Sequence, residues 1–263
     1  MSAVDRFREL HERKRLFLLP NPWDVGSAKI LAALGFEALA TTSAGFALSI
    51  GKADQTVTRD ELVEHVGQVA AATELPLNVD SERLYPGDPG GVAETVGLLA
   101  EAGAAGCSIE DYDPGSDRIE DIVVAAERVG VAAEAARGRL VLTARAENHL
   151  YGAADLDDTI ARLVAYRDAG ADVVYAPGLT ELADIRRVVE TVGVPVNVLA
   201  LRTGPSTGEL ASVGVRRVST GSGLARAAYG AFVAAAEELR DAGTSGYAAG
   251  NLPSDRSDAM LKS

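Results

Sequence analysis

The residues of this chain best suited to chemistry stand at the ends of short apolar runs. In chain order these ends carry Asn21, Thr42 and Ser43, Asp80 to Glu82, Glu110 and Asp111, Arg145 to Glu147, Ala176 and Pro177, Asn197, and Ser219 and Thr220. Asp80, Glu82, Glu110, Asp111 and Glu147 are carboxylates, and Arg145 stands among them. Two bare carboxylates ~5 Å apart repel by about 3 kcal/mol at an effective dielectric of ~20. If these runs converge, the acids must be protonated, be paired, or hold a cation. No His or Cys accompanies them, so the donors are all oxygen, which suits Mg²⁺ (or Mn²⁺) and not zinc. For any single acid the alternative is a helix cap or an ion pair with Arg145. For the set, a metal site is the better reading, because Val-Asp and Ile-Glu-Asp close apolar runs and do not open helices.

The runs that must position these groups lie at 16–21, 38–43, 75–80, 106–111, 140–145, 172–177, 194–200 and 215–220. Each holds four to six apolar or small residues without strict alternation, the pattern of parallel strands buried on both faces. Amphipathic stretches lie between them and often finish in Ala-Gly or Leu-Gly, where Gly supplies a left-handed helix end. The stretch starting at Thr58 opens with a capping box closed by Glu61, and Asp24 reads as the N-cap of the first helix after a strand. Eight strand-plus-helix units in 263 residues, roughly 33 each, predict a (β/α)8 TIM barrel, with an open doubly wound sheet as the rival. No linker divides the chain, so it reads as one domain over 1–263, with 243–263 as a C-terminal tail or an inter-subunit arm. In such a barrel the strand ends listed above form the active face.

Composition narrows the partners. Lys and Arg (25) against Asp and Glu (38) leave a net charge of −13, which argues against nucleic-acid backbones and anionic membranes. The single cysteine excludes an intrachain disulfide. The charged N-terminal stretch lacks a signal-type apolar core, and no apolar run approaches ~20 residues, so a cytoplasmic location is expected.

At these residues the chain resembles the isocitrate lyase/phosphoenolpyruvate mutase superfamily over about 17–235. The likeness rests on NPWDVGSAKILAALGFEALATTSAGFA, GKAD at 51–54, VDSE at 79–82, AGAAGCSIED at 102–111, TARAE at 143–147, AYRDAGADVV at 165–174 and PVNV at 195–198. The resemblance implies a (β/α)8 barrel whose last helix is commonly exchanged between subunits, in dimers or tetramers built from dimers. It also implies a Mg²⁺ site that handles a 2-oxo acid or a pyruvate-type enolate. Carried over by position, Asp80 and Glu110 match the metal-site acids and Arg145 the arginine that meets the substrate carboxylate. Thr42, Ser43, Ala44 and Gly45 match the loop that cradles substrate oxygens. Asp54 matches the acid after the second strand and is the candidate proton carrier. Asn197 lies at a seventh-strand end facing the pocket, and Glu147 lies close to Arg145 with a substrate-binding place or an ion pair open to it.

Two departures shape the expectation. The first acid of the usual Asp-x-Asp pair is here Asn78, with Glu82 as its compensation in the metal set. The Lys-Lys-Cys-Gly-His loop of isocitrate-type lyases is replaced by the short IEDYDPGSDRI, which has no Cys or His. Cys107 is expected to be a buried core thiol. The leading expectation is thus a Mg²⁺-dependent lyase or decarboxylase of a small 2-oxo or 2-hydroxy dicarboxylate. C–P bond chemistry (phosphonopyruvate hydrolysis or phosphoenolpyruvate rearrangement) and a non-catalytic 2-oxo acid binding barrel are the alternatives. Lys52, Tyr85 and His149 are secondary candidates for the pocket, Gly221–Gly223 is a weak phosphate candidate, and His11 and His65 are expected to be surface or internally satisfied residues.

Overall fold

The architecture follows from where the apolar runs can hide. In the computed structural model, which describes residues 1–262, every one of the eight runs contains a strand: β1 (Phe17–Leu19), β2 (Leu39–Ala40), β3 (Leu77–Val79), β4 (Gly106–Glu110), β7 (Val141–Arg145), β8 (Val173–Tyr175), β9 (Val196–Leu199) and β10 (Arg217–Ser219). All neighbouring pairs are parallel, in the order β1-β10-β9-β8-β7-β4-β3-β2. The two outer members, β1 and β2, approach each other where the Ala40 N–H donates to Pro20 O at 3.1 Å. The strands therefore form a nearly closed (β/α)8 barrel, as expected. A two-stranded hairpin, β5 (Tyr112–Asp113) and β6 (Arg118–Ile119), occupies the loop after β4.

The helices are α1 (Ala3–Glu12), α2 (Val25–Ala33), α3 (Ser43–Ser49), α4 (Arg59–Ala72), α5 (Gly91–Glu101), α6 (Ile122–Ala136), α7 (Leu156–Asp168), α8 (Leu182–Val192), α9 (Thr207–Ser212), α10 (Gly223–Ala242) and α11 (Ser254–Leu261). The capping boxes expected at Thr58/Glu61 and at Asp24 are both formed, the second with Ser27. One core lies between strands and outer helices. A second fills the lower barrel, where Phe7 and Leu10 of α1 pack with Phe17, Leu19, Ala38, Ala105, Val141 and Val173. Cys107 is fully buried in the first, and burial pushes its thiol up to about 12.

Two features interrupt this packing. Of the residues in α10 only Ala225 is buried, and Phe232 is 68% exposed. On the barrel wall, Leu18 of β1 is 41% exposed, although its neighbours Phe17 and Leu19 are buried. The tail then returns, and α11 packs against α2, with Lys29 Nζ donating to Leu261 O at 3.1 Å. No helix among the described residues is long and apolar enough to cross a membrane.

Candidate active site

The strand ends converge on a cavity of about 170 Å³. Thr42, Ser43, Ala44, Asp54, Asp80, Glu110, Arg145, Glu147 and Asn197 all line it. β4 and β7 pair in register so that Glu110 lies beside Arg145. Arg145 Nη1 meets Asp80 Oδ1 at 2.6 Å and Glu110 Oε1 at 2.8 Å, while Nε donates to Glu147 Oε1 at 2.6 Å. Its Nη2 has no partner among the described residues. The ring of Tyr175 lies 5.1 Å from the guanidinium carbon, a cation–π contact. The pairing of Glu147 with Arg145 is thus real, and so is its place in the cavity wall.

Asp80 is held by more than charge. Its Oδ2 accepts from the Ser43 N–H at 3.0 Å and Ser43 Oγ at 3.2 Å, and its own N–H donates to Thr41 Oγ1 at 2.9 Å. In the same turn the Gly45 N–H donates to Oγ1 of Thr42, the N-cap of α3, at 3.2 Å, and Gly45 does not line the cavity. A glycine is needed there for space. A Cβ would stand 2.5 Å from Thr42 Cγ2 and 3.2 Å from the Cβ atoms of Trp23 and Ala225.

Burial is the main influence on the ionisation of these acids. Burial, and then the charge of Asp80, raises Asp54. Glu110 is raised well above the usual range by burial, against the pull of Arg145, with Glu147, Asp80 and Glu82 adding to the rise. Burial also raises Glu147 despite Arg145. Glu82 is pushed up to about 8 by burial and then by Asp80 and Asp54, and its Oε1 is buried without a partner. The structure sets Glu82 one layer back, lining the neighbouring groove with Arg83 and Tyr85 and not the cavity itself. Its segment is strained: Glu82, Leu84 and Tyr85 have φ of 48°, 59° and 48°, and Gln55 across the groove has 62°.

Among the described residues no three Asp, Glu, His or Cys side chains are arranged as a ready metal cage. Arg145 occupies the centre of the acids instead. The donor chemistry nevertheless fits Mg²⁺: all ligand candidates are oxygens, and the buried Glu82 Oε1 and Asn78 Oδ1 lack partners.

Asp111 turns away from the cavity and braces it. It accepts from the Glu147 N–H at 2.8 Å, Tyr166 Oη at 2.6 Å and Arg162 Nη1 at 3.2 Å. The secondary candidates fall outside the cavity. Lys52 pairs with Glu61, Tyr85 Oη donates to Val57 O at 3.1 Å, and His149 does not line the site. At the phosphate candidate, the N–H groups of Thr220 and Gly221 go to Asn21 Oδ1 at 2.8 and 2.9 Å, so the turn is structural. His11 and His65 are both buried; His65 stacks on Phe46 with its Nε2 unpartnered, and His11 bonds through both ring nitrogens.

Several residues of the cavity escaped the sequence reading. Gln55 reaches Glu110 Oε2 at 3.4 Å, Tyr151 stacks on Tyr112 of the hairpin at 3.6 Å between ring centres, and Tyr175 and Arg217 line the wall. For Arg217 a signal existed, since it precedes Ser219 by two and strand alternation puts both on one face.

Comparison with known proteins places the chain in a family. The family model for phosphoenolpyruvate phosphomutase matches residues 7–240. An oxaloacetate decarboxylase from Pseudomonas aeruginosa is 30% identical over 258 residues, covering 94% of this chain and 88% of that protein. An uncharacterized protein from Mycobacterium tuberculosis is 34% identical over 218 residues, 82% of this chain and 81% of its own length. Among solved structures, a lyase/mutase candidate from Burkholderia cenocepacia is 48% identical with a TM-score of 0.94, covering 99% of this chain and 96% of that one.

Proposed function

The chain belongs to the phosphoenolpyruvate phosphomutase family, an enzyme family of the isocitrate lyase/phosphoenolpyruvate mutase superfamily, and on that premise we propose that it is a Mg²⁺-dependent lyase or decarboxylase of a small 2-oxo or 2-hydroxy dicarboxylate. Oxaloacetate is the first substrate to test, supported by the similarity to oxaloacetate decarboxylase. The observation that carries the reading is Arg145, tethered to three acids through Nε and Nη1 while Nη2 remains open in a small cavity.

Asp80 and Glu110, with Glu82 behind them, would hold Mg²⁺. When bound, the ion supplies Lewis-acid polarisation of the 2-oxo group. Arg145 Nη2 receives a substrate carboxylate and sets its orientation. The bond to the departing carboxyl group then breaks, its electron pair passes to the 2-oxo oxygen as an enolate, and CO₂ leaves. Asp54, raised above the ordinary aspartate range by burial and then by Asp80, carries the proton that returns to the enolate carbon. The hairpin after β4 brings Tyr112 against Tyr151, which lines the cavity, and among the described residues no cysteine or histidine lines it.

The same reading extends to assembly. The exposed apolar face of α10 and the uncovered Leu18 support exchange of this helix with a second copy, in a dimer or tetramer. The test of function is turnover: the purified chain with Mg²⁺ should release CO₂ and pyruvate from oxaloacetate or cleave a related dicarboxylate, and EDTA should stop it. Tight oxalate binding without turnover of any 2-oxo or 2-hydroxy dicarboxylate would favour a binding protein, and turnover of phosphonopyruvate followed by phosphorus NMR would favour C–P chemistry.

A further inference from the structure

The middle of the barrel holds a guanidinium without a counter-ion. Arg217 of β10 is 2% exposed, and among the described residues no carboxylate pairs with it. Its partners are neutral: Nε donates to Asn197 Oδ1 at 2.9 Å, Nη1 to His11 Nε2 at 3.2 Å, and Nη2 to Thr143 Oγ1 at 3.0 Å. Burying an unpaired cation is costly, and a barrel layer is ordinarily filled by branched apolar side chains. Burial lowers the guanidinium only to about 9, so it stays charged at neutral pH.

A guanidinium only donates, and this gives the surrounding bonds a direction. His11 Nε2 must accept, so the ring is neutral with its proton on Nδ1, which donates to Phe7 O at 2.8 Å. Asn197 must turn its carbonyl oxygen to Arg217. Its NH₂ group then faces the other way, with one N–H to Ser219 Oγ at 2.9 Å and the other without a partner among the described residues. Both Asn197 and Ser219 line the cavity. A flipped amide would present a carbonyl oxygen to the cavity and repel an anion.

We propose that Arg217 is a positioning residue: braced from below by His11 of α1, it holds the Asn197 amide in the orientation that offers an N–H to a carboxylate or enolate oxygen of the substrate. This rests on the anionic substrate proposed above and adds to it a device reaching from the N-terminal helix through the barrel to the site.

The experiment is a double-mutant cycle on oxalate binding, read by calorimetry at saturating Mg²⁺. Arg217→Met and Asn197→Ala should each weaken binding about tenfold, the order expected for one hydrogen bond to a charged group, and the double variant should bind no more weakly than Asn197→Ala alone. Wild-type affinity in Arg217→Met, or losses that multiply in the double variant, would overturn the proposal. A nitrogen NMR spectrum of His11 in the unmodified protein provides a readout independent of variant folding and of the ligand. A proton on Nδ1 at neutral pH supports the directed chain, and a proton on Nε2 overturns it. Wild-type protein that fails to bind oxalate would count against the functional reading, while the His11 tautomer would still decide whether Arg217 directs the bonds around it.

Discussion

Replacing Arg145 by Met should destabilise the protein in a way that grows with pH. The guanidinium contacts three carboxylates at 2.6 to 2.8 Å, and the Glu110 and Glu147 side chains are 3% and 1% exposed. At an effective dielectric of ~20 each contact is an attraction of about 6 kcal/mol, but desolvation of the ions offsets most of it. Truncating one partner of a buried pair typically costs about 3–5 kcal/mol. The variant can reduce that loss by taking up protons on Glu110 and Glu147, already raised by burial. A carboxyl whose folded pKa lies above its unfolded value binds more protons when folded. Its contribution is therefore present below the ordinary glutamate range and is lost as pH rises toward the folded value. Each extra proton bound steepens the fall by about 1.4 kcal/mol per pH unit. Urea unfolding of both proteins at pH 5.5, 7 and 8.5 should show a small deficit at the lowest pH and the largest at the highest. A deficit that is pH-independent, or below about 1 kcal/mol throughout, would refute the view that Arg145 offsets the burial of these acids.

Glu82→Gln should flatten the pH-stability profile between the normal glutamate range and pH 8, because the group titrates at about 8 in the folded chain and its stabilisation is lost as pH rises through that window; an unchanged profile in urea titrations would argue against its burial. Gly45→Ala should cost about 1–3 kcal/mol, as overpacking typically does, since its Cβ meets Thr42 at 2.5 Å; a neutral effect on thermal unfolding would show that the turn can relax. Loading with Mg²⁺ should raise the unfolding temperature and EDTA should reverse it, whereas a melting curve indifferent to both would argue against a metal at the acids.

The barrel was legible because a parallel strand buried on both faces leaves a compact apolar run, and all eight runs contain a strand. Asp80, Glu110 and Arg145 stand at the ends of such runs, whereas Asn197 lies inside one, as the second residue of β9, and Asp54 stands beyond α3 and was marked by the family resemblance alone; all five line the cavity. Glu82 shows the limit. It follows Asp80 by two, yet the left-handed backbone at Glu82 carries its side chain into a separate groove, and no spacing rule foresees that turn. Gly45 reads as a cradle residue by position, but its N–H is spent on Thr42 and its role is close packing. Arg217 hid among apolar neighbours beside a second arginine, Arg216, and only strand parity separates the buried one from the other. Tyr151 entered the site through a stack with the hairpin, a contact between loops that sequence periodicity does not encode.

On the proposed function, Asp80, held by Ser43 and Arg145, organises a Mg²⁺-dependent cleavage of a 2-oxo dicarboxylate. The most direct measurement is the rate of CO₂ release from oxaloacetate with and without Mg²⁺ in the wild type and in Asp80→Ala. Metal-dependent release is expected in the wild type and its loss in the variant; equal Mg²⁺-dependent rates in the two proteins would show that Asp80 does not serve the metal.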